Sequence, residues 1–281
     1  MNQSPVPNLL TIQDMSSVGR CSLTVMLPIA AALGCQAIPL PTAVLCNHLE
    51  YPRYELVDFT DSMTPFMNCW QANGITFDGI QSGFLASPEQ IHLVIDAIDR
   101  FAIPSMPIIV DPAMADHGRL YSVYTSTMVE EMRTLISRAT IIKPNFTEAS
   151  FLLDRQYSTD VLSQEAVADY CRALHAMGPR YIILSSVPAE SDALVAVYDG
   201  KLDLLRFVHT PLLPVTPHGS GDIFTAVLSG AILKGADVYD AARLASVFTT
   251  DALRYTVDSI GSLRDGLLFE PLLHRLTNQQ W

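Results

Sequence analysis

At 281 residues and 49% hydrophobic, the chain carries enough apolar material for a large core, as one large domain or two small ones. A formal net charge of −12 argues against nucleic acid as a partner, because that binding depends on Lys and Arg neutralising phosphates. A nucleotide stays possible, since a local nest of N–H groups and a metal can hold phosphates on an acidic chain. Cys21, Cys35, Cys46, Cys69 and Cys171 are odd in number and lack Cys-x-x-Cys spacing. They fit reduced thiols in a cytoplasmic protein rather than a disulfide framework or a zinc site.

Leu9–Ile12 predicts a short buried strand, followed by a polar, glycine-containing loop over 13–20. Ser22–Leu33 predicts a helix closed by Gly34, and Gln36–Val44 a strand closed by Cys46-Asn47-His48. Cys21–Leu49 contains no Asp, Glu, Lys or Arg and is long enough to span a bilayer. Pro28, Gly34, Pro39 and Pro41 interrupt it, so a buried helix, a turn and a strand are the better account. Met1–Asn8 shows no basic start and no signal-peptide pattern.

An amphipathic helix is expected over 55–72 and a strand over 79–85. Ser87-Pro88 then opens a helix with a hydroxyl cap and Pro at its first position. Pro107–Val110 is a compact strand ending in Asp111, and helix 125–138 precedes strand Thr140–Ile142, which ends at Lys143-Pro144-Asn145. A helix from Ser163 runs to Met177, and strand Tyr181–Leu184 ends in Ser185-Ser186. Strands Leu194–Tyr198 and Leu202–Phe207 flank the hairpin-type pair Asp199-Gly200. Pro217-His218-Gly219-Ser220-Gly221-Asp222 then enters an apolar helix, and two further helices complete the chain. Strands alternating with helices predict βαβ units and an α/β fold: three αβα layers around a largely parallel central sheet. Without a linker, repeat or composition break, residues 1–281 read as one domain.

Polar residues recur just after the apolar strands: Asp14, Ser16, Asn47, His48, Asp111, Asp116, Asn145, Glu148, Ser185 and Asp222. In an open parallel sheet the C-terminal strand ends line one edge, so residues over 200 apart in sequence can share a cleft there. Gly219-Ser220-Gly221 before a helix reads either as an anion-binding turn at the helix N-terminus or as a plain glycine turn with Asp222 in the first helical turn. Asn145-x-x-Glu148 reads as a capping box, and together with Asp111 as hard oxygen donors suited to Mg²⁺. His48 reads as a ring contact or as a structural histidine.

Gly219-Ser220-Gly221-Asp222 resembles the G-x-G-D motif of the ribokinase-like superfamily, and the match to its pyridoxal kinase branch runs almost end to end. Ile12-Gln13, Cys46-Asn47-His48 and Ser87 after Gly83-Phe84-Leu85 echo early motifs of that branch. Asp111-Pro112-x-Met114-x-Asp116-x-Gly118-x-Leu120-Tyr121 is similar to its D-P-V-M-G-D-x-G-x-x-Y segment, and Pro144-Asn145-Phe146-x-Glu148 to its P-N-x-x-E. Met177-Gly178-Pro179 and Ser185-Ser186 also correspond.

The resemblance implies a ribokinase-like fold, a homodimer, and ATP- and Mg²⁺-dependent phosphorylation of a B6 vitamer. It makes Asp222 the base for the substrate hydroxymethyl group and Gly219, Ser220 and Gly221 the hole for the γ-phosphate. Asp111, Asp116, Lys143, Asn145 and Ser185 fall at nucleotide positions, with Glu148, Asn145 and Asp116 about the metal. Asp14, Ser16, His48 and Phe84 fall at the substrate ring. Asp14 stands where many pyridoxal kinases have Ser, Leu49 where they have Thr, and Phe84 where they have Tyr. Asp14-x-Ser16-Ser17 leans toward hydroxymethylpyrimidine kinases of the same fold, whereas Asp116 stands where some dual-specificity enzymes carry a reactive Cys. A sugar kinase, or a non-catalytic B6-binding sensor of the same fold, are the other readings. Residues 115–118 and 51–54 are the expected cover loops.

Overall fold

Pairs of adjacent apolar residues on short strands leave no face for water, and each such side chain stabilises the fold by about 1.5–3 kcal/mol when fully buried. The computed structural model describes residues 6–213, 218–259, 263–277 and 279. The chain begins with β1 (Asn8–Ser16), α1 (Ser22–Ala32), β2 (Gln36–Leu45), β3 (Leu56–Asp58), α2 (Thr60–Ala72), β4 (Gly79–Ser82) and α3 (Pro88–Phe101). The middle holds β5 (Ile108–Val110), β6 (Ala115–Asp116), β7 (Arg119–Leu120), α4 (Ser126–Ile136), β8 (Ile141–Ile142), α5 (Phe146–Leu152) and α6 (Gln164–His175). It closes with β9 (Tyr181–Val187), β10 (Asp192–Asp199), β11 (Leu204–Pro211), α7 (Ser220–Leu233), α8 (Val238–Ser259) and a 3₁₀ turn over Glu270–Arg275.

Among the described residues, nine strands form one sheet in the order β11-β10-β9-β8-β5-β4-β1-β2-β3. The run from β9 to β2 is parallel; β10 is antiparallel to β9 and β11, and β3 to β2. Neighbouring strand residues face opposite cores. Leu10, Val110, Ile142 and Ile182 pack with Met63 of α2, Ile91 of α3, Met128 of α4, Phe146 of α5 and Val167 of α6. Leu9, Ile109, Ile141 and Ile183 pack with Val25 of α1, Ile223 of α7 and Ala241 of α8. The molecule is therefore the three-layer αβα fold expected from the alternation of strands and helices. No helix among the described residues is long and apolar enough to cross a membrane.

The order of strands decides where a cleft opens. From β1 the chain crosses through α1 to β2 on one side, while β4, β5, β8 and β9 extend the sheet on the other. A crevice forms beyond the C-terminal strand ends at such a reversal. Several local expectations change. The loop over 13–20 is shorter, because β1 runs on to Ser16. Its pairing with β2 shifts register between Gln13 and Met15, so Asp14 sits at a bulge that redirects its side chain. The helix over 55–72 begins only at Thr60, because Leu56–Asp58 pairs with β2 as an edge strand. The strand over 79–85 stops at Ser82, and the second hairpin strand lies at Leu204–Pro211. Of the two final helices, one is α8 and the other only the 3₁₀ turn. Pro217 lies outside the described residues.

Candidate active site

The cleft takes its side chains from the ends of five strands, β1, β2, β5, β8 and β9, and the starts of two helices, α5 and α7. Asp111 follows β5 and Lys143 follows β8; both are buried, at 4% and 5% exposure. Lys143 Nζ stands 2.9 Å from Asp111 Oδ2, and the Thr225 hydroxyl of α7 donates to the same oxygen at 2.7 Å. Burial alone would drive the Lys143 ammonium down, but Asp111 and Glu148 hold it above its ordinary range, so it stays charged.

Asn145 and Glu148 form a closed unit at the start of α5. The Asn145 Oδ1 accepts from the Glu148 N–H at 2.8 Å, and Glu148 Oε2 accepts from the Asn145 N–H at 2.7 Å. The capping box foreseen from the spacing is thus present. Asn145 Nδ2 donates to the Ala115 carbonyl at 2.8 Å, and Glu148 Oε1 accepts from the Met114 N–H at 3.2 Å. These bonds tie the 111–120 segment to α5. Burial, then the neighbouring Asp111 charge, push the Glu148 carboxyl upward. Ser185 sits beside this unit: Asn145 bridges to it, and its N–H donates to the Pro144 carbonyl at 2.9 Å.

At the other helix start, Gly219 precedes α7 with φ +77°, the left-handed region that favours glycine. A Cβ there would lie 2.0 Å from the Arg20 carbonyl oxygen, so the position excludes any side chain. A Cβ on Gly221 would lie 3.3 Å from Lys143 Nζ, which places that ammonium against the first turn of α7. No side chain caps this end among the described residues, so its first N–H groups stay available to an anion. Asp222 follows in the same turn. It is half-buried by area yet closely enough surrounded that desolvation, then the charges of Asp111 and Asp14, raise its carboxyl to about 7. The Ser22 N–H and Lys143 pull the other way.

Asp14, 7% exposed, accepts from the Ser22 hydroxyl at 2.6 Å and the Ser16 hydroxyl at 3.3 Å. Burial nevertheless outweighs these two donors and raises its carboxyl. His48 is 2% exposed, and its ring stacks on His218 at 4.5 Å with the Tyr51 ring edge-on at 4.9 Å. Both His48 nitrogens lack a hydrogen-bond partner among the described residues; the Arg264 backbone lies close without closing one. Burial, then the neighbouring His218, lower its basicity, so the ring is neutral near pH 7.

The structure thus brings Asp111, Lys143, Asn145, Glu148, Gly219, Ser220, Gly221 and Asp222 together at one end. Asp14, Ser16 and His48 gather at the other, and Asp14 is close enough to Asp222 for the charges to interact. Two residues stand apart. Asp116 is half-buried and accepts from the His117 N–H of its own turn at 2.8 Å. Phe84 packs near Tyr121 and Tyr124 at 6.3 and 6.2 Å, not against Asp14 or His48 among the described contacts. Sequence reasoning missed Ser22, Thr225, His218 and Tyr121. His218 adjoins Gly219, and Thr225 lies one helical turn beyond Gly221, so helical spacing could have found both. Tyr121 lies within electrostatic reach of Glu148, Asp116, Asp111 and Asp222, and was visible only as part of a motif.

The donor set suits a hard cation. Asp111 Oδ1 takes none of the bonds described, and each Glu148 oxygen keeps a lone pair beyond its N–H bond. Asn145 is spent on both ends of its amide, which leaves it an orienting part.

The family model described as phosphomethylpyrimidine kinase matches residues 31–263. A crystal structure from Bacteroides thetaiotaomicron, provisionally named a phosphomethylpyrimidine kinase, superposes with a TM-score of 0.96 at 38% identity, covering 100% of this chain and 97% of that one. A second crystal form of it contains pyridoxal. The pyridoxal kinase PdxY of Burkholderia lata is 28% identical over 91% of this chain and 93% of its own. The chloroplastic thiamine biosynthetic bifunctional enzyme TH1 of Arabidopsis thaliana is 26% identical over 91% of this chain; the match spans 48% of the plant protein, about half its length.

Proposed function

The chain belongs to the phosphomethylpyrimidine kinase family, and from that premise we propose that it transfers the γ-phosphoryl group of ATP to the 5′-hydroxymethyl group of a B6 vitamer. The observation that carries this reading is the uncapped start of α7, with Lys143 against its first turn and Asp222 beside it. Phosphoryl transfer needs in-line placement and charge neutralisation more than a strong base. The free N–H groups of Gly219, Ser220 and Gly221 receive the γ-phosphate, and the Lys143 ammonium adds a full charge in a water-poor setting. Asp222 takes the proton of the attacking hydroxyl as the P–O bond forms.

Asp111 and Glu148 would hold Mg²⁺, the latter through water, with Asn145 orienting Glu148 and Asp116 at the margin. The ion when bound neutralises the phosphate oxygens. Asp111, Asp116, Lys143, Asn145 and Ser185 together form the nucleotide side. At the ring end, buried Asp14, with Ser16 behind it and neutral His48, reads the heteroaromatic ring, and Phe84 covers it from the Tyr121 side.

Two observations favour a B6 ring: the Asp111–Tyr121 sequence pattern, and pyridoxal in the crystal of a relative 38% identical. The family match itself favours the second reading, a hydroxymethylpyrimidine. Both acceptors offer a hydroxymethyl group on a nitrogen heteroaromatic ring, so the reaction is common to both. ATP turnover measured in parallel with pyridoxal, pyridoxamine, pyridoxine, hydroxymethylpyrimidine and ribose separates them. Brisk turnover of another acceptor with none of any vitamer overturns the B6 assignment; no turnover of any acceptor overturns the kinase.

A further inference from the structure

His48 is the residue at the ring end whose hydrogen bonding the chain leaves unfinished. It is 2% exposed, and neither ring nitrogen has a hydrogen-bond partner among the described residues. Buried polar groups are nearly always paired, so a ring with both nitrogens open calls for a ligand. The ring is firmly held. Its backbone N–H donates to the Val18 carbonyl at 3.1 Å, and its carbonyl accepts from the Tyr51 N–H at 3.3 Å. Gly19, with φ +111°, backs the ring so closely that a Cβ there would lie 2.4 Å from its Cδ2. Tyr51, edge-on to the ring, is itself fixed by its hydroxyl, which donates to the Asp265 carboxylate.

Two further donors approach the same place. Glu50 lies on the loop of residues 46–55 between β2 and β3, and His218 arrives from the far end of the chain, just before α7. One ligand atom from each of His48, Glu50 and His218 lies within 4.8 Å of the other two. His218 Nδ1 stands 3.4 Å from Glu50 Oε1. That is longer than the about 2.7–2.9 Å of a charge-assisted hydrogen bond. It matches two donors on a tetrahedral ion, since arms of about 2.0–2.1 Å give edges of about 3.3–3.4 Å. The His218 and Glu50 side chains are 29% and 59% exposed, so both are free to turn toward the fixed ring of His48. Turning His218 out of its stack on that ring closes the remaining gap.

Two imidazole nitrogens with one carboxylate oxygen suit a borderline cation and leave a fourth position for water. Mg²⁺ prefers oxygen donors, which Asp111 and Glu148 supply, so the two ends of the cleft select different cations by donor chemistry. We propose that His48, Glu50 and His218 bind a divalent cation of the zinc class, which fastens the 46–55 loop to the start of α7. One nitrogen of His48 serves the ion, and the other stays open to the acceptor ring. Cation binding and phosphoryl transfer are separate properties, and either can fail with the other intact.

The metal-stripped chain is titrated with Zn²⁺ against a chromophoric chelator in excess Mg²⁺, and with Co²⁺ for its ligand-field spectrum. Wild type should hold a single Zn²⁺ that Mg²⁺ does not displace, and its Co²⁺ spectrum should lack thiolate charge-transfer bands. His218→Ala and Glu50→Gln should each weaken Zn²⁺ binding by roughly 10-fold or more. Glu50 is exposed, so weaker binding in Glu50→Gln does not reflect a lost fold. Replacing the exposed Cys46 and Cys69 together with Ser should leave the affinity unchanged. Hydrogen exchange over residues 46–55 should slow on adding Zn²⁺ to wild type and stay unaltered in Glu50→Gln. No Zn²⁺ binding in excess Mg²⁺, binding that survives both His218→Ala and Glu50→Gln, or binding that the cysteine replacements abolish overturns the site. Zn²⁺ held by these three residues without slower exchange over 46–55 overturns the fastening of the loop.

Discussion

The starts of α5 and α7 lie side by side on the same cleft and are built in opposite ways. At α5 a side-chain cap is closed within the chain: Asn145 and Glu148 satisfy each other and pin Ala115 and Met114. At α7 the turn is left open, with a left-handed glycine, no side-chain cap among the described residues, and a carboxyl displaced to about 7. The first is a scaffold that holds its shape without ligand. The second carries unmet hydrogen-bonding capacity and an unfavourably placed carboxyl, which the proposed phosphate and acceptor hydroxyl would relieve.

The contrast is broken most sharply at Asp222. Replacing it with Asn should lower kcat by roughly 10²–10⁴-fold, with little change in KM for ATP, in steady-state assays. In the proposed reaction Asp222 works ionised, so wild-type kcat/KM should rise with pH through a midpoint near 7, the value to which burial, then Asp111 and Asp14, raise this carboxyl. The stability effect runs the other way. The folded value lies above the unfolded 3.8, so the group favours folding at low pH, and that contribution is lost as pH rises toward 7. Asp222→Asn, which cannot ionise, should therefore melt above wild type at pH 8; a lower melting point there contradicts the assignment of burial as the cause.

Gly219→Ala comes next. It meets both φ +77° and the Arg20 carbonyl at 2.0 Å, so a destabilisation of about 1–3 kcal/mol and nearly complete loss of turnover are expected. Unaltered melting and activity would show that the turn is not the constrained element described here. Asn145→Ala removes a cap and the tie to Ala115. It should cost about 0.5–2 kcal/mol in denaturant unfolding and raise the Mg²⁺ concentration needed for half-maximal rate. Ser163→Ala provides the baseline. It deletes the α6 cap, whose hydroxyl accepts from the Ala166 N–H at 3.2 Å. It should lower stability by about 1 kcal/mol or less and leave turnover at the wild-type level.

Much of the cleft could be read before any coordinates, because its acids follow strands whose apolar character is plain. Asp111 after Ile108–Val110 and Asn145 after Ile141–Ile142 fall where a parallel sheet must end. Asn145-x-x-Glu148 is a local device whose spacing alone predicts its bonds. Ser22 was not legible, because nothing in Arg20-Cys21-Ser22 announces a left-handed residue whose hydroxyl bonds an acid 8 positions back. Asp14 looked like a loop residue because a bulge, which depends on the partner strand, kept it in β1. Leu56–Asp58 looked helical because its strand character comes from antiparallel pairing with the preceding strand β2 across an irregular loop, not from its own pattern.

Alternation of short apolar strands with amphipathic helices determined the layer architecture from the sequence alone, since burying both faces of a sheet leaves few other solutions. Local spacing likewise determined the helix caps and the glycine turn. Tertiary structure alone decided which charges share a cavity. One lysine serves Asp111 at the foot of the open helix, while buried Asp14 takes its hydrogen bond from Ser22 at the start of α1. The reason is that electrostatic interaction and desolvation depend on distance and enclosure in space, and the chain brings together groups that no sequence interval relates.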